Sequence, residues 1–163
     1  MNYPEPTVVN YPATLLIGRS AEMSVAENTT AALWRSVSPR LREVAGRTDE
    51  QRISLQIYPA NYFSSFLPTR RFVKWAGVAV RAGQEPPPGW SVLDIPAGCY
   101  AVFHHQGPGN DPAIFRYIFS QWLPASPYRL DDRPHFEVLE PGYRPNDPAA
   151  EERIYIPVIE RTQ

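Results

Sequence analysis

The chain has 163 residues, of which 43% are hydrophobic and 20% charged, a composition typical of a globular domain with its own core. Sixteen basic and 17 acidic residues leave a net charge of -1, and Arg70-Arg71 is an isolated basic pair, so we expect no direct nucleic-acid contact. The sequence shows neither a secretory signal nor an apolar run approaching the roughly 20 residues of a membrane helix, so we expect a cytoplasmic location and no membrane contact. Cys99 is the single cysteine, which excludes an internal disulfide.

The first half of the chain predicts a strand, a helix and two further strands. Leu15–Arg19 is extended, and a helix follows over about residues 28–45, where Gly46 is placed to end it. Four apolar residues at helical spacing form its buried face: Trp34, Val37, Leu41 and Val44. Ile53–Tyr58 alternates between apolar and polar residues, as a half-buried strand does, and Phe72–Val80 predicts another strand.

The second half repeats this order after the proline-rich linker Gly83–Gly89. Two extended segments, over residues 90–95 and 98–106, come first. The helix that follows presents six apolar residues at helical spacing: Ile114, Phe115, Ile118, Phe119, Trp122 and Leu123. Residues 136–140 and 154–159 predict the last two strands.

The two halves therefore share the plan strand, helix, strand, strand. We predict an α+β fold in which pseudo-symmetric modules, about 8–82 and 89–160, form one antiparallel sheet within a single domain, 1–163, with the helices on one side. A chain of this length does not comfortably bury two separate cores. Clefts between modules are favoured ligand sites, so we expect a ligand groove where the modules meet.

Glu137 is the candidate for chemistry at that groove. In the strand Phe136-Glu137-Val138-Leu139, Phe136 and Val138 face one side, and Glu137 and Leu139 face the other. A carboxylate in an apolar strand either faces water or lies in a partly desolvated pocket, where it attracts a cation, accepts a hydrogen bond or acts as a general base. The alternation of residue types along the strand, taken alone, favours a Glu137 side chain that is exposed to solvent.

The other reactive residue types form no diagnostic constellation. His104 and His105 are adjacent, so on a strand they point to opposite faces and do not share a metal. We expect no metal and no cofactor. The aromatic content of 12% is high, and although most rings belong in the core, a few around one carboxylate would suit a flat organic cation.

A family resemblance adds to this reading. The segment Gly89–Pro108, which contains Ile95-Pro96-Ala97-Gly98-Cys99-Tyr100, resembles the second half of GyrI-like small-molecule-binding domains. Trp122-Leu123-Pro124, Phe136-Glu137 and Ile154-Tyr155-Ile156-Pro157 continue the order of motifs in that family, and nearly the whole chain is covered. Leu139 stands where the family often has tyrosine, which leaves one expected aromatic wall in question.

The resemblance implies two strand-helix-strand-strand modules with a ligand groove between them, as in the effector-binding domains of AraC-type and multidrug-responsive transcription regulators. It implies that Glu137 contacts bound, often cationic ligands, and that Trp122 and Tyr155 occupy family positions. Trp75 and Tyr58 complete the candidate ligand-binding residues, Tyr58 because it shares a strand face with Ser54 and Gln56.

These observations lead to three functional hypotheses. The first is a stand-alone module that binds an amphipathic, often cationic small molecule and acts by sequestering it or through a protein partner. The second is a hydrolase of electrophilic cyclopropane-containing genotoxins, in which Glu137 and Tyr58 would be the catalytic residues. The third is a protein-binding modulator, for example of DNA gyrase, which only the family resemblance supports.

Overall fold

The computed structural model describes residues 3–109 and 111–162, which form an antiparallel sheet with helical segments packed on one face. The predicted α+β class is confirmed. The nine strands are β1 (Thr7–Tyr11), β2 (Thr14–Ser24), β3 (Arg52–Ile57), β4 (Arg71–Val80), β5 (Ser91–Ile95), β6 (Gly98–Gln106), β7 (Tyr128–Leu130), β8 (His135–Leu139) and β9 (Glu151–Glu160). The sequence reading missed β1 and β7.

Proline interrupts the α-helical hydrogen bonding of the first helical segment. Helix α1 (Thr30–Val37) passes into a 3-10 segment, Ser38–Glu43, instead of continuing to residue 45. Pro39 has no N–H to donate to a carbonyl four residues earlier, so the α-helical ladder cannot continue through it. No helix among the described residues is long and apolar enough to cross a bilayer.

The second helical segment covers its whole apolar pattern, Ile114 to Leu123, but it is not a regular α-helix. Helix α2 (Ala113–Tyr117) widens into a π turn, Ile118–Trp122, before the short α3 (Leu123–Ala125). Pro124 again removes a backbone donor close to this irregular turn.

The strand order shows two matched halves. The sheet runs β1-β6-β9-β8-β3-β4-β2-β5, and β7 pairs separately with β9. Each half contributes a block of three strands, β6-β9-β8 and β3-β4-β2, and the blocks join where β8 pairs with β3. The leading strand of each half pairs with a strand of the other half: β1 pairs with β6, and β5 pairs with β2.

The exchanged strands carry a repeat in the sequence. Strand β1 begins at residue 7 and β5 at residue 91, and each is followed by a Pro-Ala turn, Pro12-Ala13 or Pro96-Ala97. Proline interrupts a strand, so the chain leaves one edge of the sheet there and enters the other half. This short repeat was the available signal for β1.

Three apolar clusters bury the two faces of the sheet. One lies under α1 and includes Ile17, Leu33 and Val78, and a second lies under α2 and includes Phe103 and Ile154. The third fills the face without helices, with Leu16, Leu55, Trp75, Tyr100 and Phe136 at its centre. On this face the ring of Tyr11 lies 5.1 Å from that of Phe136, although two strands separate β1 from β8, so the sheet curls around the cluster.

Candidate functional site

Buried polar side chains collect on the helix-bearing face, at the seam where β3 meets β8. Ser54 pairs with Glu137 across the seam, and Gln56 pairs with both His135 on β8 and Lys74 on β4. Paired residues of neighbouring strands project from the same face of a sheet. Six of the seven buried polar residues in the described chain share this face: Ser54, Gln56, Lys74, His135, Glu137 and Glu152.

Glu137 lies at the centre of this group and is only 7% exposed. Gln56 donates its amide N–H to Glu137 Oε1 at 3.0 Å, and Lys74 Nζ lies 3.8 Å from the same oxygen. The other oxygen, Oε2, is buried without a hydrogen-bond partner among the described residues. Because an unsatisfied buried oxygen costs free energy, Oε2 is the atom of the site that most needs a positively polarised partner.

Burial changes the ionisation of both charged groups at this point. It raises the pKa of Glu137, and the Lys74 ammonium and the Gln56 amide counter part of that rise. Burial likewise lowers the pKa of Lys74, which the charges of Glu137 and Glu152 oppose. Removing a charge from water disfavours its ionised form, whereas an opposite charge nearby favours it. The pair is therefore stabilised by mutual attraction and penalised by desolvation.

Glu152 adds a second buried carboxyl on the same face. It pairs with Leu139, two positions along β8 from Glu137, so the two carboxyls are diagonal neighbours on adjacent strands. Burial, reinforced by the charge of Glu137, raises the pKa of Glu152 to about 8, while Lys74 and the Tyr143 hydroxyl oppose the rise. A carboxyl with this pKa is mostly protonated at pH 7.

An aromatic cover, formed by Tyr58, Phe63, Phe119 and His135, fills the space between the helical segments beside Glu137. Phe63, from the loop between β3 and β4, stacks on Phe119 of the other half with ring centroids 4.5 Å apart, and its ring also lies 5.4 Å from that of His135. Tyr58 meets Phe63 and His135 edge-on. The groove expected at the seam is therefore filled by side chains in this conformation.

The structure separates the five predicted ligand-binding residues. Tyr58 lies with Glu137: burial, and then the Glu137 charge, raise the pKa of its phenol well above 10. Trp75 and Tyr155 project from the opposite face, since their neighbours Lys74 and Ile154 project from the face of Glu137.

Trp122 lies away from the seam. Its ring packs edge-on against Phe103 at 5.0 Å and stacks on Tyr128 at 6.3 Å, in the cluster under α2. Of the aromatic side chains named from the sequence as ligand contacts, Tyr58 is thus the one that the structure brings to Glu137.

Sequence reasoning missed Lys74, Glu152 and Phe63. Lys74 left a signal: it is the one lysine of the chain and it interrupts an otherwise apolar strand. Glu152 lies just before the segment predicted as a strand, where an acidic residue is unremarkable. Phe63 belongs to a loop, and nothing in its local pattern indicates that it reaches the other half of the molecule.

The site's chemistry is that of charge recognition beside aromatic rings. It offers an unpartnered carboxylate oxygen and a second carboxyl, which favour a cation, and a buried ammonium that compensates one negative charge. Within residues 3–109 and 111–162, no three His, Cys, Asp or Glu side chains are grouped as metal ligands. Two surface hollows of about 340 and 350 Å³ lie around Tyr3, near α2 and β6, and neither is lined by Glu137.

The chain resembles known proteins in both sequence and fold. The family described as "GyrI-like small molecule binding domain" matches residues 4–159. The transcriptional regulator BrlR of Pseudomonas aeruginosa is 30% identical over 153 residues, which are 93% of this chain and 54% of BrlR. The chain thus spans about half the length of this curated relative.

Two solved structures illustrate the shared fold. The C-terminal domain of EcmrR matches with a TM-score of 0.71 and 13% identity, over 99% of this chain and 100% of that one. SAV2435, solved bound to tetraphenylphosphonium, matches with a TM-score of 0.64 and 14% identity, over 96% of this chain and 94% of that one. At these identities the likeness is one of fold.

Proposed function

We propose that this chain, which belongs to the GyrI-like small molecule binding domain family, binds a lipophilic organic cation at Glu137, between its two helical segments. The observation that carries the proposal is the buried oxygen Oε2 of Glu137, which has no hydrogen-bond partner in the described chain. A cation placed there would satisfy it without displacing Gln56 or Lys74, because both approach Oε1.

The surroundings of Glu137 favour a large apolar cation over a small hydrated one. Charges attract more strongly in a site of low dielectric constant, but a strongly hydrated ion loses more on leaving water. An organic cation with a delocalised or shielded charge has little hydration to lose. Its apolar groups would replace the contacts that the rings of the aromatic cover now make with one another.

Binding at Glu137 requires the aromatic cover to open, and its construction indicates where. Phe119 is carried by the helical segment of one half, whereas Phe63 is carried by the loop between β3 and β4 of the other. That loop lies outside the helices and strands, and it exposes Phe66 and Leu67. We expect the Phe63 ring to move aside as the ligand enters.

Tetraphenylphosphonium is the appropriate probe because it is the ligand bound to SAV2435, a protein of the same fold. Titration of the full chain with this cation, followed by calorimetry, measures the affinity. The substitution Glu137→Gln should weaken binding by about 1–3 kcal/mol, roughly 5- to 150-fold, because the negative charge that attracts the cation is lost while the shape is kept. Triphenylphosphine oxide, which is neutral, should be affected much less.

Glu140→Gln provides the matched control, since Glu140 follows β8 directly and is exposed. It should leave both affinities unchanged. Equal losses for the cation and the neutral probe in Glu137→Gln would contradict charge recognition, and absence of cation binding to the unaltered chain would refute the proposed function.

Hydrolysis is a second candidate function, which the position of Tyr58 favours. Its phenol lies close enough to Glu137 for the carboxylate charge to raise the pKa of Tyr58. In a hydrolase, Glu137 would orient water and Tyr58 would hydrogen-bond to the leaving group. Consumption of an electrophilic cyclopropane compound by the unaltered chain, lost in both Glu137→Gln and Tyr58→Phe, would support this function. Binding without consumption over hours would exclude it for that compound.

A further inference from the structure

Two buried carboxyls and one ammonium share the site, and their charges do not cancel. Glu137 on β8, Glu152 on β9 and Lys74 on β4 all project from the same face, and each is at most 7% exposed. With all three groups ionised, the trio carries one excess negative charge. An uncompensated buried charge is costly, and one bound proton removes it.

The nearest remaining ionisable groups on this face do not supply the missing positive charge. Arg19 shares the face, but it lies on β2, which β4 and β3 separate from β8. His135, on β8, is held neutral at pH 7 because burial, aided by the charge of Arg133, lowers its pKa to about 3. Arg52, on β3, donates to the Tyr143 carbonyl at 3.0 Å and lies 5.6 Å from the ring of Trp34. Its charge lowers the pKa of the Tyr143 phenol, against the larger effect of burial.

Two further groups complete the surroundings of the trio. His105, on β6, pairs with Glu152 across the strands, but its Nε2 is buried without a hydrogen-bond partner in the described chain. The phenols of Tyr143 and Tyr58 face Glu152 and Glu137, and burial raises the pKa of each, so both stay neutral at pH 7. None of these groups forms an ion pair with Glu137 or Glu152 in the described chain, so a proton on the trio is the neutralising charge that we infer, and the raised pKa of Glu152, about 8, is consistent with its position there.

We infer, on the premise of the proposed function, that an organic monocation enters this site in exchange for one proton, and that Glu152 releases it. The cation at Glu137 Oε2 supplies the positive charge that the proton supplied before. The O–H bond of the Glu152 carboxyl breaks, the carboxylate remains beside Lys74, and the proton passes to the buffer. Lys74 sets the stoichiometry because it compensates one of the two carboxylates permanently.

Calorimetric titration with tetraphenylphosphonium at pH 7, repeated in buffers with different ionisation enthalpies, counts the protons released. The full chain should release close to one proton for each cation bound. Its affinity should rise up to about tenfold between pH 6 and pH 7 and level off above pH 8. The reason is that release of one proton for each cation gives the logarithm of the affinity a slope of one against pH. Triphenylphosphine oxide should bind without proton release.

Glu152→Gln keeps the shape of the side chain but cannot release a proton. This variant should bind the cation with almost no proton release and with an affinity independent of pH, whereas Glu151→Gln, the exposed neighbour, should behave like the unaltered chain. If Glu152→Gln does not fold, the proton count and the pH dependence of the unaltered chain still test whether the cation enters in exchange for a proton.

Each outcome separates the two proposals. Cation binding without proton release by the unaltered chain overturns the exchange and leaves the proposed function intact. Continued release by Glu152→Gln overturns the assignment to Glu152. Absence of cation binding at every pH overturns the proposed function itself.

Discussion

The two faces of the paired strands β3 and β8 are both buried, but opposite residue types bury them. On one face, Leu55 pairs with Phe136, and Tyr155 stacks on Phe136 with ring centroids 4.6 Å apart. On the other face, Ser54 pairs with Glu137 and both are almost inaccessible to solvent. The backbone hydrogen bonds between the strands serve both faces equally, so strand pairing does not explain the polar residues.

This difference separates stability from binding. Apolar side chains gain free energy on burial, whereas a buried ion pair loses much of its attraction to the cost of desolvating two charges. Around β3 and β8, the apolar cluster of Phe136 thus stabilises the sheet, whereas the buried charges of Glu137 and Lys74 contribute little to stability. The apolar clusters under α1 and α2 stabilise the rest of the helix-bearing face. Its charges are better explained by the ligand that we propose for them.

Removal of a ring from the apolar face should have the largest effect on stability. Phe136→Ala should lower the free energy of unfolding by about 3–5 kcal/mol, because it deletes a fully buried ring and leaves a cavity that the curled sheet fills poorly. Urea unfolding at pH 7 measures the change. A loss below about 1 kcal/mol would show that this face does not carry the stability assigned to it.

The polar face should make stability depend on pH through His135. In the folded chain its pKa is about 3, whereas the unfolded chain takes up this proton near pH 6.5. The contribution of His135 to the free energy of unfolding is thus complete above pH 6.5. It decreases as the pH falls toward 3, by up to about 1.4 kcal/mol for each pH unit.

His135→Phe should remove this component while keeping an aromatic ring in the aromatic cover. Urea unfolding at pH 7, 6 and 5 compares the slopes of stability against pH. His104→Gln, an exposed histidine, serves as the control and should retain the slope of the unaltered chain. If His135→Phe is as sensitive to acid as the unaltered chain, burial does not hold the ring neutral.

Replacement of the ion pair as a whole should have the smallest effect. The double variant Lys74→Met, Glu137→Gln removes both charges together, so neither is left buried alone, and its free energy of unfolding should stay within about 1 kcal/mol of the unaltered chain or exceed it. Glu137→Gln alone should cost more, since it removes the carboxylate that lies 3.8 Å from the Lys74 ammonium and leaves that ammonium buried. A double variant as unstable as Phe136→Ala would show that the ion pair contributes as much to stability as the buried ring, which contradicts the difference between the two faces.

Much of the local structure was predictable because it depends on residues close together in the chain. Alternation with a period of two predicted β3 and β8, and it placed Glu137 on the face opposite to Phe136 and Tyr58 on the face of Ser54 and Gln56. The helix of the first half was predicted too long, because its apolar spacing continues past Pro39 whereas its hydrogen-bond ladder does not.

The composition of the site depends on which strands pair and in what register. Lys74 reaches Glu137 because β4 lies beside β3, and Glu152 joins them because β9 lies beside β8. A shift of one residue in either pairing would turn these side chains to the other face, so no local pattern determines them. Trp75 depends on the register in the same way, because alternation puts it on the face opposite to Lys74 but does not show which of the two shares a face with Glu137.

The amino-acid sequence by itself determined the α+β class, the order of the elements and the two-sided character of the strand that carries Glu137, since all of these follow from spacing within short segments. Only the tertiary structure decided that Glu137 shares a buried space with Lys74 and Glu152, and that Phe63 of one half closes it against Phe119 of the other. Those contacts join segments far apart in the chain, and they form only when the two halves pair along β3 and β8.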